Sequence, residues 1–272
     1  MEFRGTGRRL RDDDFERAAR MLGCAAAAVH AVVEVESSGG GFLRDKRPKI
    51  LFESRWFHKL TDGRFDASHP HLSTPKWVRN YRGGSGEYER LHEALELDRA
   101  AALKSASWGL FQILGVNHRL SGFHDVGPFI EAMVGGEAGH LDAFVAFVIH
   151  QKIDDELRDQ RWADFARRYN GPRYAEHGYH HRLAAAYLKH SDGVLVPSTR
   201  QVQEQLVAAG YDIAVDGITG PNTRAALVDF QSRRGLLADG IAGPETWAAL
   251  GLEPQGDPVM LAGRLAGDDD AA

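Results

Sequence analysis

The chain has 272 residues, 43% hydrophobic, 26% charged and 9% aromatic, with 30 Gly and 10 Pro. That length suits one large or two modest domains, and the balance excludes collagen-like, low-complexity and wholly disordered chains. The net charge of -5 is unevenly placed: from Ser198 onward there are 5 Lys or Arg against 11 Asp or Glu, and before it 28 against 27. Without a basic stripe, no nucleic-acid partner is expected.

No apolar run reaches the roughly 18 residues of a membrane span. The longest candidate, residues 24–33, is Ala-rich and broken by His30, so no membrane insertion is expected. The basic stretch Arg8-Arg9-Leu10-Arg11 is followed by aspartates rather than an apolar run, so no secretory signal is read and synthesis is expected to leave the chain in the cytoplasm. The single cysteine, Cys24, excludes an internal disulfide and reads as a small core residue rather than a nucleophile.

In chain order, Asp12, Asp13 and Asp14 supply first-turn anions for a helix over residues 15–22, and Gly23 breaks it. A second helix over 25–36 places Val29, Val32, Val33 and Glu36 on one face, and Gly39-Gly40-Gly41 ends it. Further helices are expected over 87–102, 128–133, 137–151, 154–157, 162–169 and 181–189, while strand-like alternation is scarce. The fold class is therefore all-α, or mainly α. The turn formers and proline between His190 and Ser198 read as a linker. The expected organisation is a domain over 1–190, a linker over 191–197, a small domain over 198–251 and a solvated tail over 252–272.

An internal repeat defines the small domain. Asp216-Gly-Ile-Thr-Gly-Pro-Asn-Thr-Arg-Ala-Ala-Leu227 returns as Asp239-Gly-Ile-Ala-Gly-Pro-Glu-Thr-Trp-Ala-Ala-Leu250. In each copy Asp-Gly makes a turn and Gly-Pro opens a helix with Pro at its first position. With a helix over 202–209, the result is a three-helix unit. Val202-Gln203, Gly210-Tyr211, Asp216-Gly217, Gly220-Pro221, Phe230-Gln231 and Gly235-Leu236 together resemble the peptidoglycan-binding domain of cell-wall hydrolases. That resemblance implies non-catalytic wall binding, with Tyr211 and Trp247 suited either to the core or to ligand contact.

Two glutamates, Glu34 and Glu36, end the second helix just before the glycine-rich turn. A helix C-terminus disfavours a carboxylate and apolar neighbours add to that, which suits a general acid. Only Glu36 shares the face of Val32 and Val33, so Glu36 is the expected proton donor. Glu36-Ser37, Gly109-Leu110-Phe111-Gln112 and Tyr169-Asn170-Gly171, in this order, resemble the lysozyme-like superfamily. Residues 13–187 are also similar to the N-acetylmuramidase domain of phage endolysins, through Val35-Glu36-Ser37, Pro48-Lys-Ile-Leu-Phe-Glu53, Ser107-Trp108-Gly109 and Tyr169-Asn170-Gly171-Pro172. The resemblance implies a lysozyme-like helical catalytic domain cutting the β-1,4 bond between N-acetylmuramic acid and N-acetylglucosamine in bacterial peptidoglycan.

The residue types fit a sugar site. Gln112 carries an amide suited to an N-acetyl group and Tyr169 a hydroxyl able to bond the glutamate, with Ser37 and Asn170 as further substrate-binding candidates and Trp108 read as core. Asn170 fits either sugar contact or the turn. Glycoside hydrolysis commonly uses a second carboxyl group. Glu53 is the candidate, although beside Arg55 it equally fits a structural ion pair, and Asp45, Asp62 and Asp66 lie in turn-rich sequence nearby. If Glu36 acts alone, attack by the substrate's own hydroxyl gives an anhydro-sugar, a lytic transglycosylase outcome. A non-catalytic wall-binding or structural phage protein is the other alternative. His177, His180 and His181 lack carboxylate or thiolate partners at ligand spacing, and no Gly-x-Ser-x-Gly elbow occurs, so no metal and no cofactor are expected. The expected partner is peptidoglycan, the expected state a monomer, and the expected location the host cytoplasm until release to the periplasm and cell wall.

Overall fold

The computed structural model describes residues 3–37, 39–191 and 197–253, the side chains of residues 176, 177 and 244 excepted. Among the described residues, thirteen α-helices carry the fold beside one three-stranded antiparallel sheet. Contacts divide the chain into two compact units, Met1–Asp14 with Glu36–Gln151, and Phe15–Val35 with Lys152–Ala272. No single described helix is long and apolar enough to cross a membrane.

The first two helices are α1 (Asp12–Leu22), with its three aspartates in the first turn, and α2 (Ala26–Glu36), whose Ala27, Ala28, Val29, Ala31 and Val32 are buried. The first unit then adds β1 (Ile50–Phe52), α3 (Ser54–Leu60), α4 (Gly86–Leu97), α5 (Arg99–Lys104), β2 (Ala106–Trp108), β3 (Ile113–Leu114), α6 (Val126–Gly135) and α7 (Glu137–His150). The helix expected over 87–102 is two helices. Asp98, extended at φ -157 and ψ 102, ends α4 through its N–H to Ala94 O and caps α5 by accepting from the Ala101 N–H. The sheet pairs Ile50 with Trp108 and Phe52 with Ala106, then Ser107 with Leu114. Strands of two or three residues carry no legible alternation, which is why none was expected here. Phe52, Phe57, Leu91, Phe129, Leu141 and Phe144 are fully buried, as is Trp108, whose indole N–H donates to Leu103 O at 3.1 Å. Trp108 is core, as read from the sequence.

The second unit holds α8 (Asp154–Arg158), α9 (Trp162–Asn170), α10 (Tyr179–His190), α11 (Thr199–Ala208), α12 (Pro221–Arg234) and α13 (Pro244–Ala249). Ala27, Ala28 and Ala31 of α2 pack on Ala186 and Tyr187 of α10, with Cys24 beside them. Burial pushes the Cys24 thiol up to about 12, so the cysteine is inert packing.

The repeat is built around two equivalent glutamines. Gln203 of α11 donates to Asp216 Oδ1 (2.8 Å), Ile218 O (3.0 Å) and Thr223 Oγ1 (3.1 Å) and accepts from the Gly217 N–H (2.7 Å). Gln231 of α12 repeats this on Asp239 (3.0 Å), Ile241 O (2.8 Å), Thr246 (3.1 Å) and the Gly240 N–H (2.9 Å). Each glutamine therefore pins the following Asp-Gly turn and the start of the following helix, over a core of Val202, Leu206, Ala226, Leu227, Phe230 and Leu250. Removing a buried amide strands several partners at once. Gln203→Leu is expected to cost about 2 to 4 kcal/mol and to strip exchange protection from the amides of residues 216–219 in the full chain. Protection unchanged by hydrogen-exchange mass spectrometry contradicts this.

Candidate active site

Glu36 is the last residue of α2 and is half-buried, with its Oε1 sealed from solvent. Glu34, two residues earlier, is exposed and bonded to Lys189 Nζ (2.9 Å) and His190 Nε2 (2.7 Å). Those hydrogen bonds hold its carboxyl below the usual range. The two glutamates thus have different surroundings, as the helical spacing implies.

The loop that follows Glu36 is tied into the sheet through backbone groups. Gly41 O accepts from the Lys49 N–H at 2.7 Å, and Lys49 O accepts from the Gly109 N–H at 2.8 Å. The Gln112 side-chain amide donates to Lys49 O (3.3 Å) and Gly109 O (2.8 Å). Gln112 is exposed and its backbone sits at φ 49, so with the amide N–H groups held by the main chain the group it presents outward is its carbonyl oxygen. Ser37, half-buried, belongs to the same unit.

Helix α7 braces this frame. Glu137 accepts from the Gly41 N–H (2.7 Å), Arg9 (2.9 Å) and the Leu10 N–H (3.2 Å). One turn on, buried His140 accepts from the Leu110 N–H at Nδ1 (3.1 Å) and donates from Nε2 to Met133 O (2.6 Å), which fixes its tautomer. Its ring stacks on Phe42 at 5.0 Å. A Cβ on Gly41 would stand 2.5 Å from His140 Nδ1, and one on Gly109, at φ 71, only 2.8 Å from the same ring. Both positions therefore exclude side chains.

Glu53 follows β1, and its N–H donates to Ser105 O at 2.9 Å. The Tyr81 hydroxyl donates to its two carboxylate oxygens at 3.1 and 3.2 Å. Arg55 is exposed and gives Glu53 no ion pair. Burial pushes the Glu53 carboxyl above its ordinary value, against the Tyr81 hydrogen bond and the Arg90 charge, with Glu87 adding to the rise. Glu87 and Arg90 are themselves fully buried in α4. Arg90 donates to Phe52 O (2.9 Å), Glu87 (3.0 Å), Ser54 Oγ (2.7 Å) and His71 O (3.1 Å), while Glu87 accepts from the N–H groups of Phe52 (3.0 Å), Arg82 and Gly83. The pair clamps the residues on both sides of Glu53.

Glu36, Ser37, Glu53 and Gln112 lie in the first unit, and Tyr169 and Asn170 at the end of α9 in the second. Tyr169 stacks on Phe165 at 5.4 Å, and Asn170 is exposed before Gly171. The nearby aspartates are turn groups. Asp45 is paired with Arg47 (2.6 Å) and Asp66 with His58 (2.8 Å), hydrogen bonds hold both carboxyls low, and Asp62 takes a left-handed φ of 50. Tyr211 and Trp247 pack against the three-helix core, and Tyr211 donates to Asp229 at 2.8 Å. Sequence reasoning missed Tyr81, Glu87, Arg90, Glu137 and His140. The i,i+3 spacing of Glu87 with Arg90 and of Glu137 with His140 was visible, their burial was not.

The N-acetylmuramidase family matches residues 25–191, and the putative peptidoglycan binding domain matches residues 196–250. Among solved structures, the crystal structure of Burkholderia AP3 phage endolysin is 41% identical, covering 70% of this chain and 75% of that one, with a TM-score of 0.66. No curated protein matches significantly. A mainly α chain in which a muramidase region precedes a peptidoglycan-binding one is a glycoside hydrolase that cleaves peptidoglycan. The chain belongs to the N-acetylmuramidase family, in the arrangement of a peptidoglycan-cleaving endolysin.

Two outcomes follow from this geometry. The Tyr81 hydroxyl favours ionised Glu53, so Tyr81→Phe raises the Glu53 carboxyl further, and any limb of the pH–rate profile governed by Glu53 ionisation moves to higher pH. A profile identical to the parent's refutes the coupling. Burial lowers His140 below the ordinary 6.5, so the unfolded chain takes up the proton first and stability falls as pH drops below that value. Thermal unfolding followed from about pH 7.5 to about 5.5 should show a steeper loss for the parent than for His140→Gln.

Proposed function

We propose that Glu36 and Glu53 are the two carboxyl groups of this muramidase, Glu36 protonating the leaving oxygen of the β-1,4 bond and Glu53 serving as the base for the attacking water. One observation carries the reading: the hydrogen-bond chain from Gly41 through Lys49 to Gly109 and Gln112 places the loop after Glu36, the strand leading to Glu53 and the Gln112 turn in a single frame. A carboxylate raised by burial is a stronger base than one in water, which suits Glu53 to that role. Ser37 and the Gln112 carbonyl, with Tyr169 and Asn170, contact the sugars. On this reading the chain divides into a catalytic domain over 1–190, a linker over 191–197, a wall-binding domain over 198–251 and a tail over 252–272, the linker and tail lying almost wholly outside the described residues. The wall-binding domain holds the enzyme on an insoluble polymer, where tethering raises the local concentration of the catalytic domain. The protein works as a monomer, made in the host cytoplasm and reaching the periplasm and cell wall on release to lyse the host.

Digestion of purified peptidoglycan, with the new sugar ends identified by mass spectrometry, tests the assignment. The parent is expected to give reducing N-acetylmuramic ends, and Glu36→Gln and Glu53→Gln each to lose about 100-fold or more in rate while still sedimenting with walls. Full cleavage by Glu36→Gln refutes its role. Anhydro-muramic ends from the parent, with Glu53→Gln active, replace the two-carboxylate mechanism by a transglycosylase one.

A further inference from the structure

We propose that the strap of residues 74–84 is a glycan subsite beside Glu53, with the Trp77 ring as platform for an N-acetylated sugar and Lys76 and Arg79 facing the carboxylates of the peptide stems. The inference rests on the reading that Glu53 belongs to the reaction centre. Residues 75–79 are consecutively exposed, and Trp77 is 64% exposed. Isolated exposed apolar side chains are ordinary, but three features set this one apart.

The indole N–H lies beside the Tyr81 hydroxyl, which donates to both oxygens of Glu53. The strap is fastened from beneath by Asn80, whose amide donates to Ser54 Oγ (3.1 Å) and His71 O (2.9 Å) and whose oxygen accepts from buried Arg90 (3.2 Å). The strap's charge has one sign, Lys76, Arg79 and Arg82 with no carboxylate, and of these Arg82 is paired with Glu89 at 2.8 Å. An indole exposed over most of its surface on a strap fastened at Asn80 is already presented for contact, so little backbone freedom is lost on binding.

The substrate fits these features. One face of a pyranose ring presents C–H groups, which carry slight positive charge and match the negative face of an aromatic ring. The lactyl and peptide substituents of peptidoglycan bring carboxylates that complement the two cations and steer the polymer onto the strap. A sugar seated on Trp77 also covers the Tyr81–Glu53 hydrogen bond and excludes water from it, which strengthens its electrostatics. Trp77 is thus a substrate-contact residue, and Tyr81 a positioning residue between it and Glu53.

Steady-state cleavage of peptidoglycan by the full chain, and Trp fluorescence titrated with the N-acetylglucosamine pentamer, test the subsite together. Trp77→Ala is expected to raise KM about three- to tenfold with a smaller change in kcat. Trp77→Tyr should recover most of the KM, while sugar-induced quenching seen in the parent disappears with the indole. Lys76→Ala with Arg79→Ala should raise KM on peptidoglycan and leave pentamer binding unchanged, because the pentamer carries no carboxylate. The same quenching in the parent and Trp77→Tyr, or an unaltered KM in Trp77→Ala, overturns the proposal. Full cleavage by Glu53→Gln instead removes the reaction-centre reading, and pentamer quenching by Trp77 then decides the subsite independently.

Discussion

A single turn of α7 carries two buried side chains, Glu137 and His140, and each accepts a backbone N–H from a different loop. A buried N–H without a partner costs free energy comparable to a lost hydrogen bond, so a loop packed against a core must find acceptors or move outward. The loop after Glu36 and the turn after β2 are too irregular to satisfy each other by ladder pairing. They rely on a carboxylate and an imidazole projecting from a rigid helix. Hydrogen bonds to a charged acceptor are worth about 1.5 to 3 kcal/mol, enough to hold Gly41 against α7, while His140 fills the space in which side chains at 41 and 109 would stand. The glycines there are a consequence of the brace.

The Glu87–Arg90 pair answers the same need at β1, at a different cost. Burying two opposite charges gains little net stability, because desolvation consumes most of the Coulomb attraction. Five acceptors for Arg90 and three backbone donors for Glu87 make the arrangement tolerable. The return is positional: Phe52 is held at both its N–H and its carbonyl, and Ser54 at its hydroxyl, so Glu53 between them has little freedom. An apolar replacement of the pair would fill the volume and release those groups.

Sequence separation explains what was legible. The wall-binding module is written locally: Gln203 reaches Gly217 across 14 residues and Gln231 reaches Gly240 across 9, inside a repeated segment whose Asp-Gly and Gly-Pro steps name their own turns. Helix α2 and its terminal Glu36 were likewise readable from period and from the glycines beyond. The brace spans 96 residues between Glu137 and Gly41, and the Gln112 amide reaches Lys49 across 63. A pattern of local propensities has no term for such contacts. Strands of two or three residues gave no alternation, and Asp98 broke a helix that period alone continued. Tyr81 lies in a strap without periodicity, and Asn80, the residue before it, is hooked onto Arg90.

That strap also decides the chemistry of Glu53. The carboxyl feels Arg90 and Glu87 with opposite signs, and burial is opposed first by the Tyr81 hydroxyl and then by the Arg90 charge. Tyr81 is itself raised by burial and by the Glu53 charge, so the proton stays on the phenol and the bond has one direction. A carboxylate whose affinity for a proton is set by desolvation responds to whatever covers it next. Glycan lying along the proposed subsite would displace water from around Glu53 and raise its affinity for a proton further.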